Sequence, residues 1–526
     1  MIQRATQTPE YWGNAFSITE DDIEHLLNLF FEDELPRSDD ELALAMVRRR
    51  CQREEAAVSR ELAKGALYQP KKVYEPGQRL VFPALDYAVG NVVAVRDGHN
   101  PEFGSFQVIK VQFDGTIERE FATNFPYPHR LNEASAGTMP DSIEGATLRS
   151  SEDLYNMYSA RVRERLAEAL QQRPEFVYLF GRWFPAGLVA DVNVGHLNLA
   201  EAVLDVAGGE PLPTEKLLSD VGLPREINQR IQEFSLNYAL YKDERFDEVG
   251  PTGEVLWFLR RLEPQEVLSP PRRLMYGPIP YRPEMLDQAL LRIERELDDE
   301  YSKLPAPDEL PDEVTFAVTY PHRRVGSVPL SPTIATLFPT GRTHRIRFTF
   351  EDARSGQRWP GWVVREHHYA FGLDLWYEAN DVPVGGLVNL RRSEEAGVLL
   401  VDLESRRPKR EWVRVANVKD NRLTFEMLKR QMTCGYDELM VIGVDHWEAI
   451  DELAERPEVQ RRTLAELIQD FFPQLARLSP QGTVHSKTIY SAVNLVRRVP
   501  PGPLFAELVM YSTLRSVGDG YWVIRE

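Results

Sequence analysis

The chain has 526 residues, of which 43% are hydrophobic and 27% charged, and this composition excludes a fibrous or wholly disordered protein. Its 81 acidic and 62 basic residues leave a formal charge of -19, so a protein that coats nucleic acid with its entire surface is excluded as well. At about 150 residues per domain, the length predicts three or four domains.

The cysteine content and the N-terminal sequence indicate in which cellular compartment the protein is expected. Only Cys51 and Cys434 are present, so neither a disulfide framework nor a cysteine zinc site is expected. The first residues turn acidic early and contain no long apolar run, unlike a secretory signal. No uninterrupted run of about 18 apolar residues occurs. We therefore expect a cytoplasmic protein without membrane contact.

The first predicted domain, residues 1–73, is helical. Apolar residues recur at helical spacing from Ile23 to Phe31. Ser38, with Glu41 three residues later, is a capping box that begins a second helix. Basic residues around Arg50 alternate with glutamates on this helix, which is typical of a solvated face.

Residues 74–132 predict short strands separated by glycine and asparagine turns. The segment 74–125 resembles the SH3-like barrels of KOW and Tudor modules, on Pro76-Gly77 and on the run GNVV at 90–93. That resemblance implies a small β-barrel. Residues 133–150 are small and polar and predict a linker.

The next predicted domain, 151–263, begins with a helix over Ser151–Gln172. Within 196–263 the pattern predicts three helices, with glycines at the ends of the first two, and then two strands around a Gly-Pro-Thr-Gly turn. Three helices followed by a two-stranded wing are the arrangement of a winged helix.

The segment 196–263 resembles the HARE-HTH family, which is related to the N-terminal domain of the RNA polymerase delta subunit. The resemblance is carried by Ala200–Leu204, Pro211-Leu212, Asp243–Phe246, Val249-Gly250 and Trp257–Leu259. It implies a winged helix and favours a protein partner for this module.

Residues 264–313 predict a proline-rich connector with an acidic amphipathic helix, and 314–450 return to strands. The segment 314–418 resembles the pseudobarrel of the B-three DNA-binding superfamily of plant transcription factors and restriction-enzyme recognition domains. The resemblance is carried by Leu330-Ser331-Pro332, Leu337-Phe338-Pro339, Phe348–Asp352, Gly356, Trp362–Val364, Gly372-Leu373, Trp376-Tyr377, Val384–Val388 and Leu399–Val401. Gly385-Gly386 stands where the family usually has Gly-Asp.

The last predicted domain, 460–526, has a helix, a second helix beginning at Ser486, a short third helix and two strands around Gly518-Asp519-Gly520. This order predicts a second winged helix. The fold class predicted for the chain is α+β multidomain, with winged-helix modules and small β-barrels joined by helices and proline-rich linkers.

Signals for catalysis are weak. The patterns GxxxxGK[ST], GxSxG, HExxH and GxGxxG are all absent. The nearest nuclease-like set, Asp402, Glu404 and Lys409, has the wrong spacing. Four histidines of the β region fit hydrogen-bonded networks better than a metal site: His322, His344, His367 and His368. We predict no catalytic residue, no cofactor and no metal, while an active site of unfamiliar pattern stays open.

A basic β surface is the best candidate for binding. Between Thr315 and Tyr369 there are eight arginines and three acidic residues, a local charge of +5. Arginine side chains on paired strands can lie along a groove and reach guanine edges or phosphates. The residues predicted to contact nucleic acid here are Arg323, Arg324, Arg342, Arg345, Arg347 and Arg358. The alternative is that they pair with the acidic helix at 284–300.

The helix that begins at Ser486 is the second candidate. Lys487, Ser491, Asn494 and Arg498 are predicted to lie on it, and the last three are spaced to face a groove. The alternatives are a solvated face, or positive charge that stabilises a helix C-terminus.

These observations favour a non-enzymatic bacterial protein that binds DNA or nucleoprotein and acts in transcription or chromosome-associated regulation. The alternative is a protein–protein adaptor associated with RNA polymerase or a defence complex. A weaker alternative is a recognition subunit for a nuclease encoded elsewhere.

Overall fold

The structure is a computed structural model that describes residues 5–85, 87–115, 117–132, 149–224, 226–305, 307 and 309–525. Most of the predicted linker at 133–150 therefore lies outside the described residues. The chain divides into two compact units. Unit 1 comprises Met1–Asp191 and Pro224–Ser235, and unit 2 comprises Val192–Leu223 and Leu236–Glu526. Helices and several separate sheets make up the described chain, so the predicted α+β class is confirmed at this level.

Unit 1 contains a helical part with one small sheet. Its helices are α1 (Glu20–Asp33), α2 (Asp39–Leu62) and α3 (Ser151–Gln171), and its strands are β1 (Arg37–Ser38), β7 (Phe176–Leu179) and β8 (Arg182–Pro185), in the order β1-β8-β7. The predicted capping box is confirmed, because Ser38 and Glu41 each accept a hydrogen bond from the other's backbone N–H. Since β1 pairs with β8, segments before residue 63 and after residue 150 belong to one sheet.

A five-stranded antiparallel sheet with one parallel edge pair lies between α2 and α3 in the chain. Its strands, in sheet order, are β2 (Ala66–Leu67), β3 (Arg79–Phe82), β4 (Ala88–Asn100), β5 (Gly104–Phe113) and β6 (Ile117–Thr123). Backbone bonds of 2.9 Å from Asn124 to Lys72 and from Phe125 to Pro70 bring its two edges together. No ladder joins β2 to β6 among the described residues, so the sheet is curved but not closed.

The segment predicted as three helices and two strands has those elements. They are α4 (Val194–Val206), β9 (Leu212–Pro213), α5 (Thr214–Val221), α6 (Gln229–Lys242), β10 (Phe246–Glu248) and β11 (Leu256–Leu259). The first part of helix α6, up to Ser235, belongs to unit 1, and the rest of the helix, from Leu236, belongs to unit 2. Gly222 ends α5 with a left-handed φ of 72°, which glycine adopts without strain.

A short helix α7 (Gln265–Leu268) and the acidic helix α8 (Gln288–Leu297) precede the β region. The β region holds a seven-stranded sheet made of β12 (Glu313–Ala317), β13 (Ser327–Pro329), β14 (Arg345–Asp352), β15 (Arg358–Val364), β16 (Tyr369–Phe371), β17 (Leu387–Arg392) and β18 (Val398–Leu403), in the order β12-β17-β18-β14-β15-β16-β13. The predicted alternation is confirmed, because Ile346, Phe348 and Phe350 all lie in the core.

One prediction for the β region is wrong. Residues 320–324 were expected in a strand, but they belong to helix α9 (Tyr320–Val325). Pro321 in the first turn and Gly326, which ends the helix at a φ of 76°, favour a helix over a strand. A second short helix, α10 (Asp374–Ala379), follows β16.

After β18 the chain forms a long two-stranded ribbon of β19 (Ser405–Lys419) and β20 (Arg422–Cys434). Asp420 and Asn421, both with positive φ, make the tight turn between them. The sequence pattern predicted only part of β19 and left β20 unassigned. The short strand β21 (Gly443–Val444) and the helices α11 (Trp447–Glu455) and α12 (Pro457–Gln460) follow.

The C-terminal elements are α13 (Leu464–Ala476), β22 (Val484–His485), α14 (Ser486–Asn494), α15 (Pro501–Met510), β23 (Leu514–Gly518) and β24 (Tyr521–Ile524). The strands have the order β22-β24-β23. They share one core with α8, the ribbon and α11, which includes Ile293, Val415, Ile450 and Phe472.

The same order of elements occurs three times: a helix, a short strand, two helices and a two-stranded hairpin. In each case the short strand pairs antiparallel with the last strand, giving the sheets β1-β8-β7, β9-β11-β10 and β22-β24-β23. In unit 1 the five-stranded sheet interrupts the order between its second and third helices. The sequence pattern predicts the helices and hairpins of the second and third repeats but not their short strands, and it does not predict the first repeat.

A buried ionic network fixes the C-terminal elements of unit 2. The Arg498 side chain is 1% exposed and lies 2.6 Å from Asp299 and 2.8 Å from Glu300. Tyr490 donates to Asp299 at 2.5 Å, and His322 lies 3.2 Å from Glu300. Burial raises the pKa of Asp299, whereas for Glu300 the interactions with Arg498 and His322 outweigh burial and lower the pKa. The network joins the end of α8, helix α9 and helix α14.

We expect Arg498→Ala to destabilise the protein by about 3–5 kcal/mol, because two buried carboxylates lose their cation. Urea unfolding, followed by circular dichroism, measures this loss. Arg461→Ala removes an exposed arginine after α12 and is expected to change the free energy of unfolding by less than about 0.5 kcal/mol. Equal effects of the two substitutions would contradict the importance of the network.

Candidate nucleic-acid interface

The arginines of the predicted basic β surface have partners in the folded chain, and several of these partners lie outside residues 315–369. Arg345 lies 2.7 Å from Asp247 and 3.3 Å from Glu263, and Arg358 lies 2.6 Å from both Glu351 and Glu395. These carboxylates raise the pKa of Arg358. The local charge of +5 counted along the sequence is therefore compensated in the folded chain.

The other predicted arginines are also engaged. Arg342 donates to the Glu254 carbonyl oxygen at 2.6 Å, and Arg347 donates to that of Phe348 while its guanidinium lies over the Trp362 ring. Burial lowers the pKa of Arg347. Arg323 and Arg324 lie on α9, where Arg323 donates to the Val382 carbonyl and Arg324 pairs with Asp451 at 2.6 Å.

The prediction that the Ser486 helix presents a groove-facing surface is wrong for the described fold. Helix α14 ends at Asn494, so Arg498 lies beyond it. Ser491, Asn494 and Arg498 are all buried. Ser491 accepts from the Val441 N–H, and Asn494 donates to the carbonyls of Tyr490 and Val499. The polar groups of these three residues are hydrogen-bonded or ion-paired inside the protein, so they are not available to a ligand.

The acidic helix has different partners from those expected in the alternative interpretation. Glu296 lies 3.0 Å from Lys487, which also pairs with Asp437 at 2.9 Å. Asp299 and Glu300, just after α8, pair with Arg498. The carboxylates near α8 thus hold cations of the C-terminal elements, and none of the ion pairs among the described residues connects them to the arginines of the seven-stranded sheet.

One buried cluster has the residue types of a catalytic triad. The Ser327 hydroxyl lies 2.8 Å from Nδ1 of His322, whose Nε2 lies 3.2 Å from Glu300. In hydrolases, such a serine must reach a substrate carbonyl. Ser327 is fully buried and Glu300 is held by Arg498, so this cluster stabilises the core and gives no access to a substrate.

The nuclease-like set does not converge as a whole, because Asp402 and Glu404 line one cavity and Lys409 is not among its lining residues. Asp402 pairs with Arg354 at 2.6 Å, Glu404 with Arg406 at 3.3 Å and Lys409 with Glu411 at 2.7 Å. In the part of the chain that the structure describes, no three His, Cys, Asp or Glu side chains gather to hold a metal ion.

The ribbon β19–β20 presents a face that sequence analysis did not identify. Arg410 pairs in register with Gln431, and Trp412 with Lys429. Directly opposed residues of an antiparallel pair, and residues two apart on one strand, lie on the same face. All four side chains are exposed. We call Arg410, Trp412, Lys429 and Gln431 the ribbon face.

The acidic residue that lies between Arg410 and Trp412 in the chain points away from the ribbon face. Glu411 lies on the opposite face, where it pairs with Lys409 and accepts a hydrogen bond from Tyr436. These contacts lower the pKa of Glu411. Arg430, also on the opposite face, pairs with Asp445 at 2.6 Å. Alternation along the strands thus separates paired charges from unpaired ones.

Arg410 and Lys429 form no ion pair within the described residues, and neither does Arg407. Arg407 lies in an irregular stretch between Ser405 and Lys409, where the register with β20 shifts and Pro408 occupies the strand. Such bulges redirect side chains at the edges of sheets. Arg410 and Lys429 thus share a face with the exposed indole of Trp412, and Arg407 is a third exposed cation further along β19.

A wider charge count would have found this surface. Residues 405–434 contain nine basic and three acidic residues, a larger local excess than that of 315–369. The signal was missed because strand β20 was not recognised, so its lysine and arginine were not placed beside those of β19.

No family model, no curated protein and no solved structure matches this chain. Within the described ranges, no helix is both long enough and apolar enough to cross a membrane.

The buried carboxyl group of Glu248, which lies 4.0 Å from Arg342, gives a pH-dependent prediction. Burial raises the pKa of Glu248 to about 7. Because the pKa is higher in the folded state than in the unfolded one, Glu248 contributes stability at low pH that is lost as pH rises towards 7. Glu248→Gln should remove this loss and become more stable than the parent by about 2 kcal/mol at pH 8, with little difference at pH 5.

Urea unfolding at pH 5, 6, 7 and 8 measures the difference. In Glu248→Gln, the new side-chain amide oxygen can still accept the hydrogen bond that Gly250 donates to Glu248 Oε1 at 3.0 Å. Glu254→Gln, on the same turn but exposed, is the control and should show no pH-dependent difference. If the free energy of unfolding differs between Glu248→Gln and the parent by the same amount at all four pH values, the raised pKa of Glu248 is contradicted.

Proposed function

We propose that this protein binds nucleic acid through the ribbon face and is a non-enzymatic regulatory protein of transcription or of the chromosome. The observation that carries the proposal is the pair of exposed cations without ion-pair partners, Arg410 and Lys429, that lie on one face with the exposed indole of Trp412. Cations without carboxylate partners are free to neutralise phosphates and release their counterions.

The geometry of the ribbon supports the proposal. A two-stranded antiparallel ribbon is a narrow, extended element along which a nucleic-acid backbone can lie. It is also held rigidly, because Val413 and Val415 on its other face lie in the core shared with the C-terminal elements. A fixed ribbon presents its cations without first having to be ordered, which favours binding.

The three repeated helix-and-hairpin units support the same class of function. Their order of elements and their strand order are those of a winged helix, and we propose that each is one. We likewise propose that the curved five-stranded sheet is a small, partly open barrel and the seven-stranded sheet a pseudobarrel. In the C-terminal unit, α14 is buried, so its contribution is to support the ribbon rather than to read a groove.

We expect the double substitution Arg410→Glu/Lys429→Glu to weaken nucleic-acid binding at least tenfold. Loss of two phosphate contacts should also reduce the slope of log affinity against log salt by about 2. Fluorescence anisotropy with a labelled oligonucleotide and its duplex, from about 50 to 300 mM salt, measures both quantities. Arg358→Glu is the matched control, because Arg358 is exposed but already paired with Glu351 and Glu395.

Two results would reject the proposal. One is the absence of binding by the parent protein to either oligonucleotide at low salt. The other is an equal loss of affinity for Arg358→Glu and for the double substitution, which would place the interface on the seven-stranded sheet instead.

A second candidate function is that of a protein–protein adaptor, and one surface favours it. On α4, Leu199, Ala202 and Val206 lie on one exposed stripe at helical spacing, and Val206 is 90% exposed. An apolar helix face without a partner is typical of a protein-binding site. Because the HARE-HTH family is related to a domain of the RNA polymerase delta subunit, RNA polymerase is the partner to test.

If the adaptor function holds, Val206→Asp should weaken binding to purified RNA polymerase at least tenfold in the absence of nucleic acid, because it places a charge on the apolar stripe. Biolayer interferometry with nuclease-treated proteins measures the affinity. Met275→Asp, at another exposed apolar position, is the control and should leave it unchanged. No affinity for the polymerase, or the same loss for both substitutions, would count against this candidate.

A further inference from the structure

The environment of Trp412 differs from that of every other tryptophan in the chain. The residue is 64% exposed, whereas the other eight tryptophans are buried or half-buried. Six of those eight donate their indole N–H to a protein acceptor, as Trp359 does to the Gly372 carbonyl at 2.6 Å. Within the described residues, the Trp412 ring stacks on no other aromatic ring. Its large apolar surface is therefore left to water or to a ligand.

The charges around Trp412 restrict the class of ligand. Lys429 lies directly opposite it and Arg410 two residues before it on the same face. A cationic ligand would be repelled, and a purely apolar ligand would gain nothing from these cations. Free phosphate would not use the ring. A ligand that carries both negative charge and flat π-surfaces fits all three side chains.

We propose that the ribbon face binds single-stranded nucleic acid and that Trp412 stacks on an unpaired base. This inference rests on the nucleic-acid binding proposed above and names its substrate class. In a duplex, each base is already stacked on its neighbours, so its flat surface is not open to an indole. In a single strand, base–aromatic stacking combines with backbone contacts to basic residues, which is the combination found on this face.

Trp412→Ala tests the stacking. It should weaken binding of a single-stranded 20-mer about 10- to 100-fold, because the loss of one stacked base has an effect of this size. Binding of the duplex of the same sequence should change less than twofold. Trp412→Phe keeps an aromatic ring and should restore most of the single-strand affinity. DNA and RNA versions of the 20-mer are compared by anisotropy in the same buffer, and an effect on either one supports the proposal.

Leu375→Ala is the matched control, since Leu375 is an exposed apolar side chain of unit 2 on α10. If Arg410→Glu/Lys429→Glu abolishes binding while Trp412→Ala changes neither affinity, nucleic-acid binding stands and the single-strand assignment is wrong. An equal loss for duplex and single strand on Trp412→Ala would also overturn the assignment. If the parent protein binds neither oligonucleotide, the proposed function itself fails.

Discussion

The buried guanidinium of Arg498 is the constraint on which much of unit 2 depends. A charge removed from water must be matched by opposite charge, and Asp299 and Glu300 provide it at 2.6 and 2.8 Å. The same carboxylates accept from Tyr490 and contact His322, so the end of α8, α9 and α14 meet at one point. Helices α14 and α15 are buried over most of their length, and the ribbon shares their core while Arg410, Trp412 and Lys429 stay exposed.

The same electrostatic rule separates the two basic surfaces of unit 2. Arginines of the seven-stranded sheet that are partly buried have recruited Asp247, Glu263 or backbone carbonyls, since desolvated cations need partners. On the ribbon, alternation places Glu411 on the face opposite Arg410 and Lys429, where it pairs with Lys409. Positive charge is therefore available for a ligand where an exposed cation has no carboxylate on its own face. A count of arginines along the chain does not make this distinction.

Local signals predicted the individual elements well and their assembly less well. The capping box at Ser38, the glycine stop at Gly222 and the alternation in β14 each identified an element correctly, because they depend on neighbouring residues only. Helix α9 was mistaken for a strand because its β-branched flanks obscured the proline start and glycine stop. The first helix-and-hairpin repeat was missed because its two halves are separated by the five-stranded sheet.

The sequence by itself determined the composition class, most helices and strands, and the order of elements in the second and third repeats, since periodicity and capping are short-range properties. Only the tertiary structure decided which basic residues remain free. The partners of Arg345, Arg358 and Arg498 come from positions between 7 and 199 residues away, and no pattern along the chain specifies such pairings. The candidate interface at Arg410, Trp412 and Lys429 likewise exists because two strands pair in one register, which places these three side chains on one face.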